Sequence, residues 1–168
     1  RMHIMVKAMY EDVLNSLRNK DEKLAEDVIL RDNEVDRLHW LIARQNNIIN
    51  RNVNFAEKMG ITIEDAITSY LLSKRIERIG DHIIKIAENF LLMKDNKIDE
   101  KLEDKIISSG KFSIDIINKS IGSYSKKNIQ LNIRKLSKHI DFATYLYVCI
   151  INYFFIIFFN IINTLNTS

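Results

Sequence analysis

Glu77 and Asp81 stand four residues apart in the stretch SKRIERIGDHIIKIAENF, residues 73 to 90, with Gly80 between them and isoleucines on both sides. Asp32 and Asp36 repeat that spacing in RDNEVDRLHW, and His39 follows them. At about 100° per residue, Asp32, Asp36 and His39 share a narrow arc of one helix, and Glu77, Asp81 and Glu88 share another. Carboxylates stacked in this way repel one another. A divalent or trivalent cation relieves the repulsion and takes oxygen ligands. Two antiparallel helices, each offering an acid pair at i, i+4, are one way for a bundle to build a carboxylate metal site. Solvated helix faces carry such pairs as well, and Arg37, Arg75 and Arg78 are spaced to neutralise them locally. Spacing alone leaves both readings open. Di-iron oxidases of the ferritin type need Glu-x-x-His, and only Asp36-Arg37-Leu38-His39 comes near that pattern, which disfavours an oxidase. Gly80 would let a partner helix or an ion approach the backbone, at some cost in helix propensity.

Helices must position these residues. The 168-residue chain has no proline and four glycines, which argues against a loop-rich β fold and for long helices. Five segments can be drawn. The first runs from about Met2 to Leu17, with Ile4, Ala8, Val13 and Leu17 near helical spacing. Asp21 is placed to N-cap a second helix that runs from Glu22 to about Met59, with Gly60 as its C-cap residue. Thr62 caps a third, reaching about Met93 and carrying Glu77 and Asp81, with Glu64 and Asp65 in its first turn. A fourth covers about Glu100 to Ile121, loosened at Gly110 and stopped near Gly122. The fifth starts near Asn128 and continues almost to the end.

Short connections between long amphipathic helices make antiparallel neighbours, so the expected fold is an all-α bundle. The order of lengths suggests one complete three-helix unit over residues 1–95 and a second, incomplete unit over residues 96–168. A weak internal repeat supports this, with Val35-Asp36 aligning over Ile140-Asp141. Trp40 is expected in the core. Cys149 is the sole cysteine and lies in an apolar run, which excludes an internal disulfide framework and suits a reducing compartment. The net charge of +3, from 25 basic and 22 acidic side chains, is too balanced to make nucleic acid the default partner. No glycine-rich phosphate loop and no nucleophile–base pair is present, so phosphate binding by the chain itself and catalysis both lack support.

The helix around Gly80 resembles the signature helix of the PhoU family, which has the form ERIGDHA-x-x-IAE. Glu77, Arg78, Ile79, Gly80, Asp81 and His82 match it, as do Ile86, Ala87 and Glu88. DEKLAEDVILRDNEVDRL resembles the helix that precedes it, with its (Glu/Asp)-x-x-x-Asp motif. The resemblance covers most of residues 2 to 93. It implies two tandem three-helix bundles, acid motifs that hold iron or zinc, and a non-enzymatic regulator of phosphate uptake. Such a regulator would act at the cytoplasmic side through a phosphate ABC transporter or a sensor kinase. Carried over position by position, the implied metal ligands are Asp32, Asp36, Glu77 and Asp81. A PhoU-like accessory domain of a cation channel or transporter fits the same resemblance. The second half departs from the pattern: Ser137 stands where the first acid would recur, and no second ERIGD helix follows. The start at Arg1 leaves room for an N-terminal domain, and only such a domain would bring in nucleic acid.

From Phe142 onward the chain carries no charged side chain. That stretch is long enough for a membrane span of about 20 residues, and Lys126, Lys127, Arg134, Lys135 and Lys138 precede it as an inward-facing flank would. Asn152, Asn160 and Asn163 instead share one side of a helix with Asp141, which suits an amphipathic helix packed against a second copy of the chain. Homo-oligomerisation through this helix and association with a membrane are the two expectations it supports. The rival to a PhoU-like regulator is therefore a membrane-anchored helical interaction protein whose acid pairs are solvated surface.

Overall fold

The computed structural model describes residues 1–93 and 99–125. Among them the regular structure is all helical: α1 (Met2–Asn19), α2 (Glu22–Arg51), α3 (Val53–Met59), α4 (Ile63–Leu92) and α5 (Glu100–Ser125). The fifth predicted helix, the apolar stretch from Phe142, Cys149 and the Ser137–Asp141 comparison lie outside the described residues. No described helix is long and apolar enough to cross a membrane.

Each connection is made by the residues that stop a helix. Lys20 ends α1 in the left-handed conformation, and the Asp21 carboxylate accepts the Leu24 N–H at 3.1 Å to start α2. The turn folds α2 back along α1, where Arg31 pairs with Asp12 at 2.7 Å. Gly60 at φ 65° closes the next connection. Thr62 and Asp65 then form a reciprocal capping box, the Thr62 Oγ accepting from the Asp65 N–H at 3.0 Å and the Asp65 carboxylate accepting from the Thr62 N–H at 3.1 Å. Thr62→Ala is expected to cost about 1 kcal/mol, read as a lower urea midpoint at unchanged slope.

The second predicted helix is in fact two. α2 stops at Arg51, and Asn52 leaves helical geometry at φ −143° while its side chain accepts the Phe55 N–H at 3.1 Å. Asparagine is a strong N-cap because its short amide competes with helical backbone bonding. The apolar spacing runs straight through Asn52, so periodicity alone does not reveal the break. α3 is thereby a separate short helix whose Ala56 packs with Ile49 and Ala66 in a small cluster of its own.

α2 and α4 each have 30 residues and lie along one another for roughly 45 Å, with the shorter α1 packed against both. Their shared core contains Val6, Met9, Tyr10 and Val13 from α1, Val28 and Val35 from α2, and Ile79, Ile83 and Ala87 from α4. Burying each large aliphatic chain in this way contributes about 1.5–3 kcal/mol. One expected core position faces outward instead, Trp40 at 70 % exposure, and Ile4 of the α1 spacing is likewise exposed. Val35, Ile42 and Ile49 set the inward face of α2, and Trp40 shares the opposite side with Arg37 and Arg44.

α5 continues past Gly122 as helix to Ser125. Gly110 marks its closest approach to α1, because a Cβ there would lie 2.7 Å from Leu14 Cδ2. The glycine therefore seats the helix rather than loosening it. Arg18–Asp104 and Lys20–Glu103 pair across the same contact.

Candidate functional site

The acids meet on the α2–α4 seam, and Gly80 is why they can. A Cβ built at Gly80 would stand 3.2 Å from Asp32 Oδ1 and 3.4 Å from Val35 Cγ1. The absence of a side chain there lets Asp32 lie against the backbone of α4. One carboxylate oxygen each from Asp32, Asp36 and Asp81 then falls within 4.8 Å of the others. Asp32 and Asp36 come from α2 and Asp81 from α4, so the group bridges two helices.

Three of the four acids that the family resemblance implies as ligands thus lie together. Glu77 stands outside the three-oxygen group, but within electrostatic reach of Asp81 and Asp36. Glu88 is exposed, further along α4, and takes no part.

The electrostatics match a site short of positive charge. Burial, reinforced by Asp36, Asp81 and Glu77, pushes the Asp32 carboxyl up to about 6. Glu77 is raised by burial and by Asp81, with His39 opposing. Asp81 is raised by burial and Asp36, against His82, Lys85 and Arg78. Arg37 does not neutralise the group, because it pairs with Glu34 at 3.2 Å. Among the described residues no ion pair reaches Asp32, Asp36, Glu77 or Asp81. Asp32 Oδ1 is buried with no hydrogen-bond partner. A buried acceptor of this kind carries its full desolvation penalty unless a donor or a cation meets it. Three convergent carboxylates, one with an unmet buried oxygen, form an all-oxygen donor set of the kind that suits a hard cation.

One contact across the seam joins His39, which the spacing picked out, to Ser73, which it did not. His39 Nδ1 lies 3.1 Å from Ser73 Oγ, and Tyr70 stacks on the imidazole at a centroid distance of 5.8 Å and 22° between planes. Ser73 stands four residues before Glu77, so the i, i+4 rule that groups the acids could have drawn it in.

A family model described as PhoU domain matches residues 1–90 of the 168. No curated protein and no solved structure matches the chain.

Proposed function

We propose, for a chain that belongs to the PhoU family, that it is a metal-binding regulator of phosphate uptake working by contact with a partner rather than by catalysis. The buried, unpartnered Asp32 Oδ1 within a three-carboxylate group at a helix seam is the observation that carries the metal-binding part. Asp32, Asp36 and Asp81 would hold the ion, with Glu77 adding negative charge beside them, and iron or zinc is the ion that family membership implies. The cation, when bound, supplies the positive charge that lets the three carboxylates stay ionised together. Because those residues come from α2 and α4, ion binding ties the two longest helices of the first unit and fixes their outer surface. That surface carries Trp40 and Leu41 from α2 and Ile67 and Leu71 from α4, all exposed. Exposed aromatic and aliphatic side chains of this kind suit recognition by another protein. A phosphate ABC transporter or a sensor kinase at the cytoplasmic face is the proposed partner, read from family membership. The segment from residue 96 onward is proposed as a second, incomplete unit of the same kind, and its apolar tail as a contact between copies.

Elemental analysis of the wild type and of a Glu77→Ala, Asp81→Ala double variant tests the metal site. The expected result is iron or zinc near stoichiometry in the wild type and its loss in the double variant. Saturating zinc at about 100 times the dissociation constant should also stabilise the wild type by about 2.7 kcal/mol, seen as a raised midpoint that a chelator reverses. A wild type that takes up neither ion after reconstitution would leave the acids as ordinary surface.

A further inference from the structure

We propose that the outward face of α2 between Arg37 and Arg51 docks on an anionic lipid surface. The inference goes beyond the metal-site reading and does not depend on it. It starts from where charge falls along the bundle. Residues 37–76 form one end of the first unit, because His39 meets Ser73 and the two long helices run on together to the cluster of Ile49, Ala56 and Ala66. That end carries six Arg and Lys side chains against three Asp and Glu, whereas residues 1–36 and 77–93 carry eight against twelve. From Arg37 to Ala56 there is no acid at all. The unit is therefore polarised along its length, basic at one end and acidic at the other.

The basic end is also the apolar one. At about 100° per residue, Arg37, Trp40, Leu41, Arg44, Ile48 and Arg51 fall within an arc of about 100° and cover roughly 21 Å of helix. Trp40 is 70 % exposed, Leu41 48 % and Ile48 44 %, and all three arginines are exposed. Arg37 pairs with Glu34, which bounds the stripe at one end. Among the described residues no ion pair reaches Arg44 or Arg51. Free cations interleaved with an aromatic and two aliphatic chains match the layers of an anionic bilayer. Guanidinium groups meet lipid phosphates in a fork, tryptophan sits at the headgroup level, and aliphatic chains reach the acyl boundary. A nucleic-acid backbone would engage the arginines but give Leu41 and Ile48 nothing to bury against.

Trp40 is the only tryptophan of the chain, so its fluorescence reports this face alone. The full chain is titrated with phosphatidylcholine vesicles and with vesicles of equal parts phosphatidylcholine and phosphatidylglycerol. Binding is expected with the anionic vesicles, with a blue-shifted emission that brominated lipid quenches, and it should weaken as salt rises. An Arg44→Ala, Arg51→Ala double variant should bind them about tenfold more weakly or worse, since each cation near an anionic surface is worth about fivefold. Both arginines are exposed, so the circular dichroism of the variant should match that of the wild type. Equal binding to both kinds of vesicle, or binding that leaves Trp40 in water and survives the double substitution, would place the membrane contact elsewhere on the chain and overturn the inference. A wild type that binds neither leaves this face to a protein partner, and the inference fails while the reading above stands.

Discussion

Gly80→Leu is expected to lower the stability of the protein by about 3 kcal/mol and to abolish metal binding, although it alters no ionisable group. The reason is position. Even a single methyl at residue 80 meets Asp32 Oδ1 at 3.2 Å and Val35 Cγ1 at 3.4 Å, and Val6 Cγ2 stands at 3.9 Å. A full leucine side chain has to displace α2 from α4 or itself from the seam. Overpacking a tight core typically costs about 1–3 kcal/mol. Here it also presses an apolar group onto a buried carboxylate oxygen, so the upper end applies. Separating the helices moves Asp81 away from Asp32 and Asp36, and a three-carboxylate group spread over two helices cannot survive that. Gly80→Ala gives a finer measure. It gains up to about 1 kcal/mol of helix propensity and loses a comparable amount by crowding Asp32. Its stability should therefore stay within about 1 kcal/mol of wild type while zinc affinity falls at least tenfold. Denaturant titration and zinc calorimetry on the two variants decide the matter. Wild-type affinity in Gly80→Leu would show that the seam does not depend on this close approach.

The features legible in the sequence are those set by local chemistry. Asp21 and Thr62 cap where they were expected to, because an N-cap depends on a side chain and a backbone N–H three residues on. The spacing of Asp32, Asp36 and Asp81 survives folding because helix geometry fixes which residues share a face. What was lost needed the third dimension. Asn52 interrupts an apolar pattern that is regular on both sides of it, and only its cap geometry shows the break. Trp40 looks like core by residue type, but its angular position beside Arg37 and Arg44 puts it outside. Gly110 reads as a weak point in a helix until Leu14 is found against it. The His39–Ser73 contact joins residues 34 positions apart, and although each lies at helical spacing from an acid pair, only the packing of α2 on α4 brings the two together.

The unmet carboxylate also predicts how stability depends on pH. Asp32 has a folded-state pKa of about 6, above its ordinary value of 3.8. A raised acid prefers to keep its proton in the folded state. Between about pH 4 and 6 the unfolded chain therefore holds fewer protons at this position than the folded one, and stability falls as pH rises through that window. A shift of this size corresponds to about 3 kcal/mol at full weight, and solvent screening around a half-exposed side chain reduces it to roughly 1–1.5 kcal/mol. Glu77 and Asp81 are shifted in the same direction. His3 and His82 are lowered by burial and act oppositely, losing stability as pH falls below about 6.5. The contribution of Asp32 is therefore read as a difference between two proteins. In the presence of a chelator, Asp32→Asn should match the wild type near pH 4 and exceed it by roughly 1–1.5 kcal/mol at pH 7.5. Adding zinc should reverse the order at pH 7.5, because the ion stabilises only the chain that keeps all three carboxylates. Two parallel stability curves from pH 4 to 7.5 in chelator would mean that Asp32 carries no charge strain, and that the seam needs no cation to relieve it.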